Sequence, residues 1–311
     1  MKVLQIIMIT PQIIYQKETM IYSKGIEFWA ESFGNSENPP IILIMGAGMQ
    51  GILWPTEFCK ILAGRGFFVI RYDHRDTGFS SSIDYDASPY NLLDMASDVV
   101  QIQNHYHLQN AHIVGFSMGG VVAMILAAHY PERVRSLTLI ATSIDYRPAF
   151  DAMQGNASNH SLPIPLPRAI AAIKKFQAMS SLSLDGKIQV YIDTAKSNSG
   201  SLPVDEALCR EIAILNFERM KNSESPRNHY RAIMASHDIH AAAPSKITAH
   251  THIVHGDEDP IFPLEHGMAT HAAISKSTIS IVPGLGHHLS NKDMMSAIVN
   301  NIITTVKVAD E

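Results

Sequence analysis

Two portions of the chain alternate short apolar runs with stretches of helical spacing. The continuous apolar run at residues 41–45 is expected of a strand buried on both faces of a sheet. Strands are also predicted at residues 26–30, 67–72, 111–114, 137–141, 252–255 and 279–282, and helices at 54–62, 92–102, 121–129 and 294–306. Such alternation predicts an α/β fold, a mostly parallel sheet flanked by helices and connected by right-handed crossovers.

Between these two portions the alternation stops. Helical spacing continues at residues 169–178 and 204–220, separated by turns rich in proline and serine. Three closely spaced prolines at 163, 165 and 167 are expected to exclude a regular element there. The pattern predicts a core formed by residues 1–144 and 246–311, with residues 145–245 inserted as a helical lid.

Composition and charge argue against several classes of protein. The formal charge of −5 argues against a nucleic-acid partner, and no apolar stretch is long enough for a membrane helix. Cys59 and Cys209 are too far apart in sequence for a metal motif and are expected to be free, buried thiols. The apolar run at residues 1–9 lacks a cleavage site, so we expect a cytoplasmic protein, with a weak signal sequence as the alternative. A homo-oligomer is compatible with the sequence.

One short motif carries the strongest chemical signal. Gly115-Phe116-Ser117-Met118-Gly119 lies between a predicted buried strand and a predicted helix. A sharp turn from strand to helix strains the backbone and makes the central side chain project outward. Glycines on either side avoid Cβ atoms that would strike the neighbouring elements. Ser117 is therefore the predicted nucleophile.

A serine hydroxyl needs a base that takes its proton. The loop after the last predicted strand contains two adjacent histidines. We predict His287 as the base, because Gly284 and Gly286 give its loop the freedom to bring it over Ser117. His288 is expected at the surface or in a supporting position.

An acid must orient the base. Asp259 follows the preceding strand, and Pro260 would fix the turn that presents it, so Asp259 is the predicted acid. Its neighbours Asp257 and Glu258 are expected to form the turn or face solvent. Asp145, after an earlier strand, is the alternative acid.

A developing oxyanion requires two backbone N–H groups. Met118 follows the nucleophile at a helix N-terminus, where the helix dipole also favours negative charge. The second donor is expected from the glycine-rich loop Met45-Gly46-Ala47-Gly48-Met49, with Ala47 favoured over Gly48. No lysine and serine pair follows this loop, so it does not predict a phosphate site.

Other polar clusters are assigned structural roles. The charged segment 73–80 is expected to tie a long loop by buried hydrogen bonds and ion pairs involving Arg75 and the two aspartates. The histidine pairs His105/His107 and His250/His252 have no accompanying cysteine or carboxylate cluster, so no metal site is predicted.

The motifs together resemble those of alpha/beta hydrolases related to aclacinomycin methylesterase, whose neighbours include cofactor-free haloperoxidase-like enzymes. The matching segments are 45–49, 54–55, 71–78, 115–120, 256–260 and 283–287. This resemblance implies an esterase with a Ser-His-Asp triad, a helical lid and no cofactor. Many members of the wider fold have His-Gly in the oxyanion loop; here it is Met45-Gly46, which the methylesterase-like group shares. The lid carries no match, so the resemblance does not imply a specific ester.

The leading hypothesis is a serine hydrolase that cleaves a small-molecule carboxylic ester, such as a methyl or other small-alcohol ester, through an acyl-enzyme. The same triad also serves carbon–carbon bond hydrolases, thioesterases and perhydrolases, and acyl transfer to an alcohol or amine depends on the lid. A ligand-binding protein that keeps the fold without turnover is the alternative from another class. Reaction of Ser117 with a fluorophosphonate would distinguish an activated serine from such a binder.

Overall fold

The computed structural model describes residues 16–310. The apolar run at residues 1–9, considered above as a weak signal sequence, lies outside the described residues. Within residues 16–310, no helix has both the length and the apolar character needed to span a membrane.

One sheet of eight strands organises the described chain. The strands are β1 Gln16–Ser23, β2 Ile26–Phe33, β3 Pro40–Ile44, β4 Phe68–Tyr72, β5 Ala111–Phe116, β6 Val134–Ile140, β7 His250–Gly256 and β8 Ser277–Val282. Their order is β1-β2-β4-β3-β5-β6-β7-β8. β2 pairs antiparallel with β1 and β4, and every other neighbouring pair is parallel. The predicted α/β class with a mostly parallel sheet is confirmed.

The helices cover the sheet and form the insertion. They are α1 Thr56–Gly64, α2 Leu92–His105, α3 Met118–His129, α4 Arg147–Gln154, α5 Pro167–Gln177, α6 Leu184–Asn198, α7 Glu206–Glu218, α8 Asn228–Met234, α9 His237–Ala242, α10 Leu264–Ala273 and α11 Lys292–Asp310. The helices α4 to α9 all lie between β6 and β7 in sequence.

The central strand β3 shows why the continuous apolar runs are buried. Ile42 and Ile44 pack into a cluster with α2 and α3, whereas Ile41 and Leu43 pack into a second cluster with α1 and α11. Successive side chains of a strand point to opposite faces. A strand covered by helices on both faces therefore has no polar positions, as predicted for a parallel sheet.

Several predicted elements differ from the observed ones. Pro167 was expected to exclude a regular element, but it is the first residue of α5; proline is tolerated there because the first-turn N–H groups have no partner within the helix. The helix predicted at residues 54–62 begins at Thr56, after a 3₁₀ turn at Gly51–Leu53. β1 was not predicted, because Ile21 is its only buried residue and an edge strand of this kind has no clear apolar alternation.

The insertion is fastened to the core by Arg219, directly after α7. Its guanidinium donates to Asp73 Oδ2 at 2.7 Å and to Gln50 Oε1 at 3.1 Å. The same group lies 4.0 Å from the Trp29 ring centroid and 4.1 Å from that of Phe79. A charged, planar group held between two rings and a buried carboxylate fixes the base of the insertion over the sheet.

Four buried histidines predict how stability depends on pH. Burial lowers the pKa of His74 to about 3 and those of His112, His240 and His288 to about 4, from 6.5. Between pH 6.5 and 4 the unfolded chain therefore binds protons that the folded chain does not, so stability falls as pH falls. We expect the free energy of unfolding to drop by at least about 2 kcal/mol from pH 6.5 to 4.5, measured by urea denaturation.

A matched variant makes this expectation specific. His240 Nε2 donates to the Ser143 carbonyl at 3.0 Å, and the amide of a glutamine can make the same bond. His240→Gln removes one titrating group, so its stability should fall less steeply over the same pH range. A urea midpoint that is constant from pH 6.5 to 4.5 in both proteins would contradict the expectation.

Candidate active site

Ser117 occupies a strained turn between β5 and α3. Its backbone angles are φ 54° and ψ −122°, a conformation rarely adopted by residues other than glycine. Its N–H donates to the Ile140 carbonyl at 2.9 Å, and its own carbonyl accepts from Gly120 N–H and Thr142 Oγ1, each at 2.8 Å. These three hydrogen bonds fix the backbone of the turn, so Ser117 is kept in its strained conformation. The strand–turn–helix setting predicted for the motif is confirmed.

The glycines of the motif allow the close approach of neighbouring backbone. A Cβ atom on Gly119 would collide with the carbonyl groups of Ile44 and Met45, and one on Gly115 would collide with the backbone of Gly119. The start of α3 therefore sits directly against the end of β3. This packing brings the loop after β3 beside the nucleophile.

His287 and Asp259 lie in the loops after β8 and β7. His287 Nδ1 and Asp259 Oδ2 are 2.7 Å apart, and both side chains are almost completely buried. Burial alone would raise the pKa of Asp259, but the adjacent His287 ring, its hydrogen bond and backbone N–H groups outweigh burial and hold that pKa below its ordinary value. If the Asp259 carboxylate accepts a hydrogen bond from His287 Nδ1–H, the other ring nitrogen of neutral His287, Nε2, carries the lone pair. Nε2 is then the nitrogen that can act as a base.

The His287 ring is placed next to the serine turn. It packs against Phe116, the residue before Ser117, with 4.9 Å between ring centroids, and against Phe262 at 5.6 Å. Its backbone N–H donates to the Asn198 carbonyl at the end of α6, at 2.7 Å. The insertion thus helps to hold the histidine loop in place.

The other candidate acids have different partners. Asp145 is paired with Arg147, and Asp257 accepts from the Gly284 N–H at 2.7 Å. Glu258 accepts from the backbone and side chain of Ser201. Of the four carboxylates considered from the sequence, Asp259 is the one hydrogen bonded to His287.

The second histidine of the loop is not at the surface. His288 was expected at the surface or in a supporting position, and its side chain is buried next to His287 in the same cavity wall. Its Nδ1 lies 3.1 Å from Ser290 Oγ, so it does not contact the acid. The fold buries it because the insertion covers this end of the sheet.

The glycine-rich loop 45–49 passes directly beside Ser117. A Cβ built on Gly46 would lie 3.3 Å from the Ser117 Cβ. Gly48 N–H donates to His229 Nδ1 of α8 at 2.8 Å, so this N–H is already occupied. That contact favours Ala47 over Gly48 as an oxyanion donor.

Two histidines, His229 and His74, contact the backbone of this loop and hold it in place. His229 Nε2 donates to the Arg75 carbonyl at 2.8 Å, which leaves Nδ1 as the acceptor for Gly48. His74 Nε2 lies 3.0 Å from the Met45 carbonyl, and the rings of His74 and His229 meet edge-to-face with centroids 5.5 Å apart. Sequence reasoning missed His229, because a lone histidine 181 residues from its partner gives no local signal.

The structural role predicted for the charged segment 73–80 is confirmed. Asp73 accepts from the backbone N–H groups of Gly51 and Phe79, and Arg75 forms a bidentate ion pair with Asp98. Asp76 accepts from the Tyr90 hydroxyl at 2.6 Å. The two cysteines are free and buried, also as predicted.

Metal ligation was considered for the histidine pairs. Across residues 16–310, no three side chains of histidine, cysteine, aspartate or glutamate are grouped so that they could hold a metal ion. His252 is hydrogen bonded to Thr278, Ser280 and Asn301. His252 therefore belongs to a polar network between β7, β8 and α11.

Comparison with known proteins agrees with this geometry. The sequence model described as the alpha/beta hydrolase fold matches residues 39–291. The chain belongs to this family. As a family member it is a hydrolase, and the strained serine turn, the histidine loop and the acid loop all fall within the matched residues.

Two relatives are similar to this chain over most of its length. The chain is 27% identical over 277 residues to rhodomycin D methylesterase of Streptomyces peucetius, covering 87% of this chain and 92% of the relative. It is 25% identical over 280 residues to a non-heme haloperoxidase of Rhodococcus erythropolis, covering 88% and 95%. The resemblance to the methylesterase-like group stated from the sequence is confirmed.

Solved structures show the same fold. An esterase from Exiguobacterium antarcticum superposes with a TM-score of 0.70 at 22% identity, covering 94% of this chain and 100% of that one. At this level of identity the likeness concerns the fold.

Proposed function

We propose that the protein hydrolyses a carboxylic ester by a Ser117–His287–Asp259 triad and an acyl-enzyme intermediate. The observation that supports this most is the buried hydrogen bond between His287 and Asp259, placed beside the strained turn of Ser117. A charged acid that fixes Nδ1–H gives His287 the tautomer required of a base. The sharp turn makes the half-buried side chain of Ser117 project from the backbone.

The proposed chemistry has two steps. His287 Nε2 takes the Ser117 proton as Oγ attacks the ester carbonyl carbon, and the N–H groups of Met118 and Ala47 stabilise the oxyanion. The alcohol leaves with the proton from His287. Water then loses a proton to His287 and attacks the acyl-enzyme, which releases the acid and restores Ser117.

The substrate class is proposed from the relatives and the insertion. A methylesterase is among the most similar relatives, which supports an ester of a small alcohol on a small molecule. We propose residues 145–245 as a lid, because helices α6 and α7 contribute side chains to a cavity next to His287. The lid would then set which acyl group fits, while the core carries the chemistry.

A panel of esters tests the proposal. Methyl, ethyl and tert-butyl esters of one acid would be compared with methyl esters of acids of increasing size, with acyl thioesters and vinylogous diketones included. We expect turnover of methyl esters, which is lost in Ser117→Ala. Turnover of thioesters or carbon–carbon bonds in preference to every ester would contradict the proposal.

The contact between His229 and Gly48 predicts a positioning role in the same reaction. An asparagine at position 229 places its side-chain oxygen where the histidine has Nδ1, and this oxygen can accept from Gly48. A glutamine instead places its side-chain nitrogen where the histidine has Nε2, and this nitrogen can donate to the Arg75 carbonyl. His229→Gln should therefore lose the bond to Gly48 and lower kcat by about 10-fold or more, since the oxyanion loop is no longer held. His229→Asn should retain most of kcat, and KM should change little in either variant.

Steady-state kinetics on a methyl ester would measure this difference, with thermal unfolding as the control for folding. A merely structural histidine would give two variants that lose activity in parallel with stability. Equal kcat values for the two variants would contradict a role of the Gly48 contact.

A further inference from the structure

His255 is a completely buried histidine near the end of β7, just before the loop that carries Asp259. We call residues 257–263, between β7 and α10, the acid loop. His255 Nε2 lies 2.8 Å from the carbonyl oxygen of Phe262, near the far end of this loop. A carbonyl oxygen can only accept a hydrogen bond, so the neutral ring carries its proton on Nε2 and donates it to Phe262.

The residue that His255 holds contacts both the acid and the base. The backbone N–H groups of Phe262 and Ile261 donate to Asp259 Oδ1 at 2.9 and 2.8 Å. Asp259 Oδ2 lies 2.7 Å from His287 Nδ1. The Phe262 ring also packs against the His287 ring, with 5.6 Å between centroids. A continuous series of hydrogen bonds therefore runs from His255 through Phe262 and Asp259 to His287.

The other ring nitrogen shows that a histidine at this position destabilises the fold. His255 Nδ1 is buried and makes no hydrogen bond with any residue in the range 16–310. A Cβ atom on Gly267 would lie 2.6 Å from His255 Cγ and 2.8 Å from Nδ1, so the backbone of α10 packs directly against the ring. An apolar side chain of similar size would avoid the cost of an unsatisfied acceptor. What it could not provide is the Nε2–H bond to Phe262.

The acid loop is held at two points. In its middle, the Leu166 N–H of the insertion donates to the Pro260 carbonyl at 2.7 Å. At its end, His255 holds the Phe262 carbonyl. Without the second contact the Phe262 backbone could shift, and the N–H groups that orient Asp259 would shift with it. A small displacement of a catalytic group lowers the rate of the chemical step strongly.

We propose that His255 is a positioning residue of the triad, whose Nε2–H holds the Phe262 carbonyl and so keeps Asp259 in place against His287. This inference rests on the proposed function, because it adds a residue that supports the same triad. His255 is completely buried, so it acts through Phe262 and Asp259 and does not touch the substrate. Loss of its hydrogen bond should therefore lower kcat and leave KM nearly unchanged.

His255→Gln and His255→Met provide a matched pair. Both replace the ring by an unbranched side chain, but only glutamine has an N–H that can take the place of Nε2–H. Steady-state kinetics of the full chain on a methyl ester would be measured, with thermal unfolding as the control for folding. We expect kcat of His255→Met to be about 10-fold or more below that of His255→Gln, with KM equal within about 2-fold.

The same pair would then be combined with Asp259→Asn. If His255 acts through the acid, the two double variants should have equal residual kcat, because the carboxylate that it positions is gone. Equal kcat of His255→Gln and His255→Met would overturn the inference. So would a difference between them that persists in full beside Asp259→Asn, since a structural effect on stability does not depend on the acid.

The rate at which a fluorophosphonate labels Ser117 separates this inference from the proposed function. If the wild type is labelled but hydrolyses no ester, ester hydrolysis fails as the function. Slower labelling of His255→Met than of His255→Gln would then still support the positioning role, and equal rates would overturn it. A wild-type protein that is neither labelled nor active on esters would overturn both.

Discussion

Ser117→Ala is expected to lower kcat for a methyl ester by about 10⁴-fold or more. The reason is chemical, since alanine has no atom that could form the acyl-enzyme. The turn itself should survive, because its hydrogen bonds to Ile140, Gly120 and Thr142 involve only the backbone of residue 117. Thermal unfolding of the variant should therefore be close to that of the wild type.

A buried serine away from the site offers a control. Ser136 lies on β6 and is hydrogen bonded to His112, and Ser136→Ala also removes one serine hydroxyl. It should keep kcat within a few-fold of the wild type. Full activity in Ser117→Ala, or an equal loss in Ser136→Ala, would exclude Ser117 as the nucleophile.

Asp259→Asn is expected to lower kcat by about 10⁴-fold, the scale known for the acid of serine triads. Asp259 Oδ1 accepts from the backbone N–H groups of Ile261 and Phe262, at 2.8 and 2.9 Å. An asparagine would keep its carbonyl oxygen on these donors and turn its NH₂ group towards His287 Nδ1. The histidine would then carry its proton on Nε2 and could not act as a base.

The alternative acid gives a direct comparison. Asp145 is engaged with Arg147, so Asp145→Asn should leave kcat within a few-fold of the wild type. Kinetics of both variants on the same ester would measure the difference. A large loss in Asp145→Asn with little loss in Asp259→Asn would reassign the acid.

The sequence predicts those parts of the site whose signals are local. Ser117, Asp259 and His287 each lie in a short motif directly after a strand, and parallel strands bring their carboxyl ends to one edge of the sheet. The loop after β3 lies next to β5 for the same reason. Residue type, spacing and strand order are therefore enough to bring these residues together.

The insertion could not be predicted in the same way. Whether His229 reaches Gly48, or Arg219 reaches Asp73, depends on contacts between segments more than 140 residues apart. Helix α6 has apolar positions that face α7 rather than the sheet, and its spacing alone does not say what it packs against. The cavity next to His287 likewise arises where two distant segments meet.

Covalent labelling of Ser117 tests the central claim most directly. The protein would be treated with a fluorophosphonate and digested, and the modified peptide would be identified by mass spectrometry. We predict one adduct, on the peptide that contains Ser117, with much slower labelling in Asp259→Asn and none at that peptide in Ser117→Ala. An unlabelled wild-type protein, or an adduct at a different serine, would contradict the account.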